Sequence, residues 1–502
     1  MMVTETLTKR TTRAAQWRFA GAAVGAVSQL AVGAVLARLL TPSDFGVMAL
    51  CFVVLGLARP VGDLGIGGAL VQRAELTGRH VRTAFTFSVL FGVALAAVIA
   101  GVAPLGAAVM RNALVTPVLR VLSLGFAIGG FGVVAGALLR RRLDFKQQAF
   151  IDTASSILGY GAVAITLAVL GHGVWSLVWG GLCQGLFATA GQLACAPHPV
   201  RPLLGRRELK DLLHFGLASS ANTGVNYIAL NGDNFVVGRL AGAATLGLYS
   251  RAYTLMNLPF TYVANVMSVV LFPAFTQVQH EPERLQRGYL AMTALTAMLA
   301  ASTMGTLAVI APHLVLALYG PQWTGVVIPL QILCLAGYFR ALYHLGGIVV
   351  QSMGRLYSEL WRQAIYAALV VAGALAGMRY GLAGVAVGVD VAILFMFVAM
   401  GQLALRVTGA SWRRYLSIQR DALITGAMVT LVALVVRIVL ERYRVSSPVI
   451  ALLVGCGAAV PWSAGMLWKL GEPDFEPLRS NLPRPVAQLV ETFRPAGSVR
   501  RN

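Results

Sequence analysis

The sequence predicts an all-α polytopic membrane protein of about fourteen transmembrane helices, built as two parallel six-helix lobes around a central cavity plus two extra C-terminal helices. Three observations carry that expectation: composition, the spacing of the apolar runs, and an internal repetition. Of the 502 residues, 57% are hydrophobic and only 12% charged, with a mean hydropathy of +0.74. A soluble surface normally needs about a quarter of its residues charged, so this chain belongs in lipid. Apolar runs of roughly 20 residues, the length that crosses a hydrocarbon core of about 30 Å, recur from end to end between short polar links.

The first run, 17–39, follows a basic start with Lys9, Arg10, Arg13 and Arg18. It is too long for a signal-peptide core and has no convincing cleavage site behind it, so it is expected to stay as the first helix. Runs 45–71, 83–109, 115–139, 149–170 and 173–195 complete a first set of six. In the second of these, Gly62, Gly65, Gly67 and Gly68 crowd around Asp63 more densely than packing requires and predict a bend. The basic link "HPVRPLLGRRELKD" leads to runs 213–238, 246–275, 288–311, 325–351, 362–379 and 382–405, and then to 420–440 and 447–469. The expected domains are an N-lobe over 1–200, a C-lobe over 201–410 that opens on a cytoplasmic linker, two further helices over 411–470, and a Pro-rich cytoplasmic tail over 471–502.

Charge tests this map, because Lys and Arg are held on the cytoplasmic side. With both termini placed there, as an even number of spans requires, about 29 of the 40 Lys and Arg fall inside and about 8 outside; Arg59, Arg251 and Arg340 remain within spans. The formal charge of +21 is thus largely topological. Nucleic-acid binding would gather basic residues on one soluble face with aromatic partners, which alternate loops do not provide. The basic inner rim suits anionic membrane lipids instead. Cys51, Cys183, Cys195, Cys334 and Cys456 lie in or at the ends of apolar runs without disulfide or metal spacing. No metal, cofactor or catalytic residue is predicted: the histidines form no triad, and no G-x-x-x-x-G-K-[ST] phrase supports direct use of ATP.

The repetition is read from "VLARLLTPSDFGVMAL" at 35–50 and "VVGRLAGAATLGLYSRAY" at 236–253. Arg38, Leu39, Gly46 and Leu57 are matched by Arg239, Leu240, Gly247 and Leu258 at one constant offset, and Pro117 and Gly125 are echoed by Pro329 and Gly337. Six spans per half make the halves enter the membrane in the same direction, related by an axis along its normal. Two such lobes can rock about that axis, the geometry of alternating access. Glycine pairs at small-xxx-small spacing, Gly21/Gly25, Gly132/Gly136, Gly181/Gly185 and Gly373/Gly377, read as close helix packing.

The phrases "LARLLTPSDFG", "DLGIGGALVQR", "NGDNFVVGRLAGAATLGLYSRAYTLMNLP", "LFPAFTQVQHEPERL" and "LYGPQWTGVVIPLQIL" occur in that order. Together they resemble the polysaccharide repeat-unit flippases, the Wzx group of the multidrug/oligosaccharidyl-lipid/polysaccharide exporter superfamily, nearest the colanic-acid-like and xanthan-like branch. The resemblance implies a cavity lined by helices one, two, seven and eight and residence in the cell inner membrane. It also implies a cargo of undecaprenyl-pyrophosphate-linked oligosaccharide, moved from the cytoplasmic to the outer leaflet for exopolysaccharide assembly. Contacts with a polysaccharide polymerase and other synthesis proteins would follow from such a role, and the last two spans could hold the polyprenyl chain.

Such a carrier needs cations for phosphates and polar side chains for hydroxyls. Arg binds phosphate with a planar fork and keeps its charge when desolvated, whereas leaving one in mid-span costs about 2.5–3.5 kcal/mol. Arg340, with His344 one turn later and no local acid, is the first choice for the phosphates. Arg59 has Asp63 four residues on, so an ion pair and a phosphate ligand are both open. Arg251 lies within snorkelling reach of the outer surface. Asn222, Asn226 and Asp233 form one stripe on span seven that must face protein or water, as inter-helix hydrogen bonds or as a sugar-facing wall. Asp63, Asp233 and Asp390 are deep enough to exchange a proton or hold sodium, or to pair with Arg or Asn. A lipid II flippase and an ion-coupled drug or metabolite antiporter of the same superfamily are the alternatives. An enzyme is disfavoured, because the outer links are short and no catalytic cluster is visible.

Overall fold

The element order comes from a computed structural model that describes residues 24–470 apart from Ala26, Leu64, Ala74 and Leu143. The side chains of 59–63, 212–226, 262–266, 269–270, 356–357, 459–461 and 464–470 lie outside that description. Every regular element among the described residues is helical, as a segment in lipid must be to satisfy its own N–H and C=O groups. Helix α1 spans Val27–Leu39. It is followed by α2 (Pro42–Asp63), α3 (Ile66–Gln72), α4 (Gly78–Met110), α5 (Val115–Arg141), α6 (Phe145–Ala154), a π-helical stretch (Ser155–Ala162), α7 (Val163–Val169) and α8 (Val174–Cys195). Then come α9 (Arg206–Gln277), α10 (Pro282–Leu318), a 3-10 turn (Pro321–Val326), α11 (Val327–Ser352), α12 (Leu356–Gly377), α13 (Gly381–Thr408), α14 (Trp412–Arg442) and α15 (Ser447–Leu470). Counting α2 with α3 and α6 with α7 as interrupted traverses, and the two limbs of α9 separately, the elements keep step with the apolar runs of the sequence. Among the described residues, seven segments are by themselves long and apolar enough to cross a membrane.

Local chemistry explains the breaks. At the start of α2, Thr41 donates its N–H and its hydroxyl to the Asp44 carboxylate at 2.9 and 2.7 Å. The Asp44 N–H returns to Thr41 Oγ1 at 3.3 Å. This is a reciprocal cap with Pro42 at the first helical position, so "RLLTPSDFG" is a stop followed by a restart. In the second copy α9 breaks at Gly242, whose φ of 82° suits glycine. The predicted bend near Asp63 is the gap between α2 and α3, where Gly65 takes a φ of 66°.

Packing divides the chain into two compact units, Met1–Ser250 and Arg251–Asn502. The first therefore takes in the linker and the opening limb of α9, beyond the residue 200 at which the expected N-lobe ends. Within it, α4 and α5 meet at glycines: a Cβ on Gly92 would fall 2.5 Å from the Phe126 carbonyl oxygen, and one on Gly130 2.6 Å from that of Ser88. The two copies of the repeated phrase also interlock there. A Cβ on Gly46 would lie 1.7 Å from the oxygen of Ala243, and one on Gly247 would lie 1.9 Å from the oxygen of Pro42. Pro42 and Ala243 are counterparts at the offset that relates the two glycines, so the contact is reciprocal.

The linker is strapped to the start of α4. Arg73 pairs with Asp211 at 3.1 Å and Arg79 with Glu208 at 2.8 Å, while Leu203 and Gly205 donate their N–H groups to Thr86 and Thr83. Bonding to its own backbone N–H, then to Arg79, holds the Glu208 carboxyl below the usual glutamate value.

In the second unit α12 and α13 touch through main chain. A Cβ on Gly373 would meet the Gly388 oxygen at 2.6 Å, and one on Gly377 the Gly384 oxygen at 2.1 Å, the close approach expected of small residues in membranes. At one end of α14 and α15, Glu441 accepts from Arg437 at 2.8 Å and sits 2.7 Å from His313 of α10, whose other ring nitrogen is 3.3 Å from Ser447 of α15.

Candidate functional site

The first choice from the sequence, Arg340, sits on α11 with only 8% of its surface exposed. Its Nη1 donates to the Tyr253 hydroxyl at 2.5 Å, and the guanidinium carbon stands 5.6 Å from the Tyr253 ring and 5.4 Å from that of Phe260. Its Nε has no partner among the described residues, and none of their carboxylates pairs with it. His344, one turn on, approaches Ser268 Oγ at 3.1 Å and meets Phe260 edge-on at 5.5 Å. Arg340, His344, Tyr253, Phe260 and Ser268 thus form one cluster between α11 and the second limb of α9. A buried cation surrounded by ring faces and one hydroxyl gains some cation–π attraction, and among the described residues no anion offsets its desolvation.

Arg251 is elsewhere in the second unit, where its side chain reaches the Tyr319 hydroxyl. Asp390, on α13, is 8% exposed; its Oδ1 has no hydrogen-bond partner among the described residues, and the carboxylate lies against Cys334 and Ala336 of α11. Asp233, in the first unit, is 1% exposed and already engaged: it accepts from the Tyr249 hydroxyl and the Asn234 N–H, both at 2.8 Å. It ties the two limbs of α9 across the Gly242 break. Arg59 and Asp63 fall in α2, and Asn222 and Asn226 in α9, but their side chains lie outside the described residues.

The sequence reading missed the aromatic walls of the Arg340 cluster. Tyr253 and Phe260 are seven residues apart, hence on one helical face, and that spacing in "YTLMNLPF" was the available signal. Near the start of α12, Arg362 is 6% exposed, stands 4.3 Å from the Trp361 ring and has an Nε without a partner among the described residues.

Two hollows complete the picture. One of about 670 Å³ lies wholly in the first unit, among α2, α5, the π-helical stretch, α8 and α9. The other, of about 370 Å³, lies in the second unit, where Leu307 and Ile310 of α10 face Val429 of α14 and Ala458 and Trp462 of α15.

Known proteins bear on this geometry. Lipopolysaccharide biosynthesis protein WzxC of Escherichia coli is 24% identical over 434 residues, 82% of this chain and 84% of that one. Succinoglycan biosynthesis transport protein ExoT of Rhizobium meliloti is 27% identical over 289 residues, 58% of each chain. Among solved structures, the lipid II flippase MurJ in an inward closed conformation superposes with a TM-score of 0.71 at 13% identity, covering 90% of this chain and 98% of that one. An inward-facing MATE family transporter of the MOP superfamily gives 0.62 at 19% identity, covering 79% and 99%. At those identities the likeness establishes the fold: an all-helical membrane transporter architecture. Residues 35–328, more than half of the chain, match the family described as polysaccharide biosynthesis protein, and the chain belongs to that family.

Proposed function

We propose that this protein is a flippase that carries lipid-linked oligosaccharide repeat units across the cell inner membrane, from the cytoplasmic to the outer leaflet, by alternating access of two parallel lobes. The observation that carries the reading is Arg340, a buried guanidinium with no carboxylate partner among the described residues. The cargo that fits is an undecaprenyl pyrophosphate bearing sugars. Its phosphates would replace the missing anion, and charge-assisted hydrogen bonds of this kind contribute about 1.5–3 kcal/mol each. Tyr253 holds the guanidinium in place, and Phe260 and His344 keep water from it. The groove formed by α10, α14 and α15 is apolar enough to lodge the polyprenyl chain. The names of WzxC and ExoT, a lipopolysaccharide biosynthesis protein and a succinoglycan transport protein, support a polysaccharide precursor over lipid II.

For energy coupling, Asp390 is the better placed of the two acids whose side chains are described, because Asp233 is committed to Tyr249 and Asn234 while one Asp390 oxygen has no partner among the described residues. Asn222 and Asn226 are retained as sugar-facing residues of span seven, and Arg59 as a second cation for the phosphates. The deciding experiment is reconstitution with a defined undecaprenyl-pyrophosphate-linked sugar, with and without an imposed proton or sodium gradient. Translocation supports the reading; none under any gradient sinks it. Complementation separates the cargoes: rescue of polymer export in a polysaccharide flippase deletion is expected, and rescue of viability alone in a lipid II flippase deletion would reassign the protein.

A further inference from the structure

The hollow of about 670 Å³ in the first unit is within the usual size of ligand sites, and no charged side chain lines it among the described residues. Its polar groups are two phenols, Tyr160 and Tyr227, and two carboxamides, Gln184 and Asn231; Phe52 and Phe126 add ring faces. Asn231 donates to the Tyr227 carbonyl at 3.1 Å, which leaves its oxygen as an acceptor, and Gln184 makes no hydrogen bond with any described residue. The floor is glycine. A Cβ on Gly129, Gly181 or Gly185 would meet nothing within 4 Å, so these glycines leave space where packing would have closed it. Each gives up about 0.8–1 kcal/mol of helix propensity relative to Ala without a contact in return. Tyr160 reaches the hollow from the π-helical stretch Ser155–Ala162, a distortion frequently found at functional sites.

We propose that this glycine-floored hollow is a binding site for a neutral hexopyranose, the sugar part of the cargo, separate from the phosphate site at Arg340. The Tyr227 hydroxyl gives its proton to the Phe52 carbonyl at 2.6 Å and keeps its lone pairs as acceptors, Gln184 both donates and accepts, as sugar hydroxyls require, and Phe52 and Phe126 can stack on the apolar face of a pyranose ring. This assignment rests on the flippase reading, and the test separates the two.

The full-length protein in nanodiscs is titrated with two probes: undecaprenyl pyrophosphate, and the same lipid bearing a neutral glucose–galactose disaccharide. Wild type is expected to bind the disaccharide lipid more tightly. Filling the hollow with Gly181→Leu and Gly185→Leu together, or removing the amide with Gln184→Leu, should weaken the disaccharide lipid about tenfold or more, as loss of one or two hydrogen bonds implies, and leave the bare lipid unchanged. Gly185→Ala, which introduces no contact, keeps the test open if the larger changes disturb folding; thermal unfolding should find it at least as stable as wild type and its disaccharide affinity reduced. Equal affinity of wild type for both lipids, or a matching fall for both in the variants, overturns the sugar site. Wild-type protein that binds neither lipid removes the flippase reading as well, whereas wild-type binding of both with variants indistinguishable from it removes the sugar site alone.

Discussion

The two units keep polar groups in their interiors by opposite means. In the second, one guanidinium is buried against rings and a hydroxyl, and no carboxylate among the described residues pairs with it. In the first, no charged side chain among the described residues lines the hollow, which is defined by missing side chains at Gly129, Gly181 and Gly185. The glycine pairs make the same contrast at identical spacing: Gly373 and Gly377 press on the main chain of α13, while Gly181 and Gly185 face emptiness. A small-xxx-small pattern therefore specifies what is absent from a helix face, and only the neighbouring helix decides whether that absence becomes a contact or a cavity.

The largest expected effect comes from removing the charge. Arg340→Ala should cut polymer export roughly 10- to 100-fold, the equivalent of about 1.5–3 kcal/mol of charge-assisted bonding, with membrane insertion unchanged by fractionation. Full export would dissociate this residue from the cargo and collapse the contrast between the units. Next in size is the packed glycine pair. Gly388→Val pushes a side chain at the Gly373 carbonyl and should cost about 1–3 kcal/mol of stability, read as a lower unfolding temperature in detergent. If Gly388→Val proves as harmless as Gly185→Ala, the distinction between packed and open glycines is void.

Asp390→Asn sharpens the second unit further: it should abolish the dependence of translocation on an ion gradient while leaving cargo binding at wild-type strength. Undiminished gradient dependence in reconstituted vesicles would exclude this acid from coupling. Tyr253→Phe retains the ring and removes the hydroxyl that Arg340 contacts; a loss of about tenfold in transport is expected from one hydrogen bond to a charged group. The smallest effect belongs to the linker strap. The Glu208 carboxyl is held below its ordinary value of 4.5, so its contribution is complete above that pH and fades as pH falls through the depressed value. Limited proteolysis should find the linker cut faster at pH 3.5 than at pH 6, with Arg79→Ala narrowing the difference and leaving the part owed to the Glu208 backbone N–H.

Much of this was legible in the sequence because lipid imposes simple rules. Apolar length predicted the helices, and a mid-span charge such as Arg340 is conspicuous in an apolar run. The bend near Asp63 followed from glycine density. What surrounds Arg340 was less legible, since Tyr253 and Phe260 are ordinary residues until a second helix is laid beside them. The hollow was read wrongly in one respect: Gly181 and Gly185 were expected to be packing residues, and no local pattern distinguishes them from Gly373 and Gly377.

The interlock between the two copies of the repeated phrase constrains how the halves can diverge. Gly46 and Gly247 each abut the peptide backbone of the other copy, at Ala243 and Pro42, and a backbone cannot be trimmed by mutation as a side chain can. No substitution in one half compensates for a methyl group acquired in the other. Whatever drift has separated the rest of the duplicated sequence, these two positions are bound to a common fate.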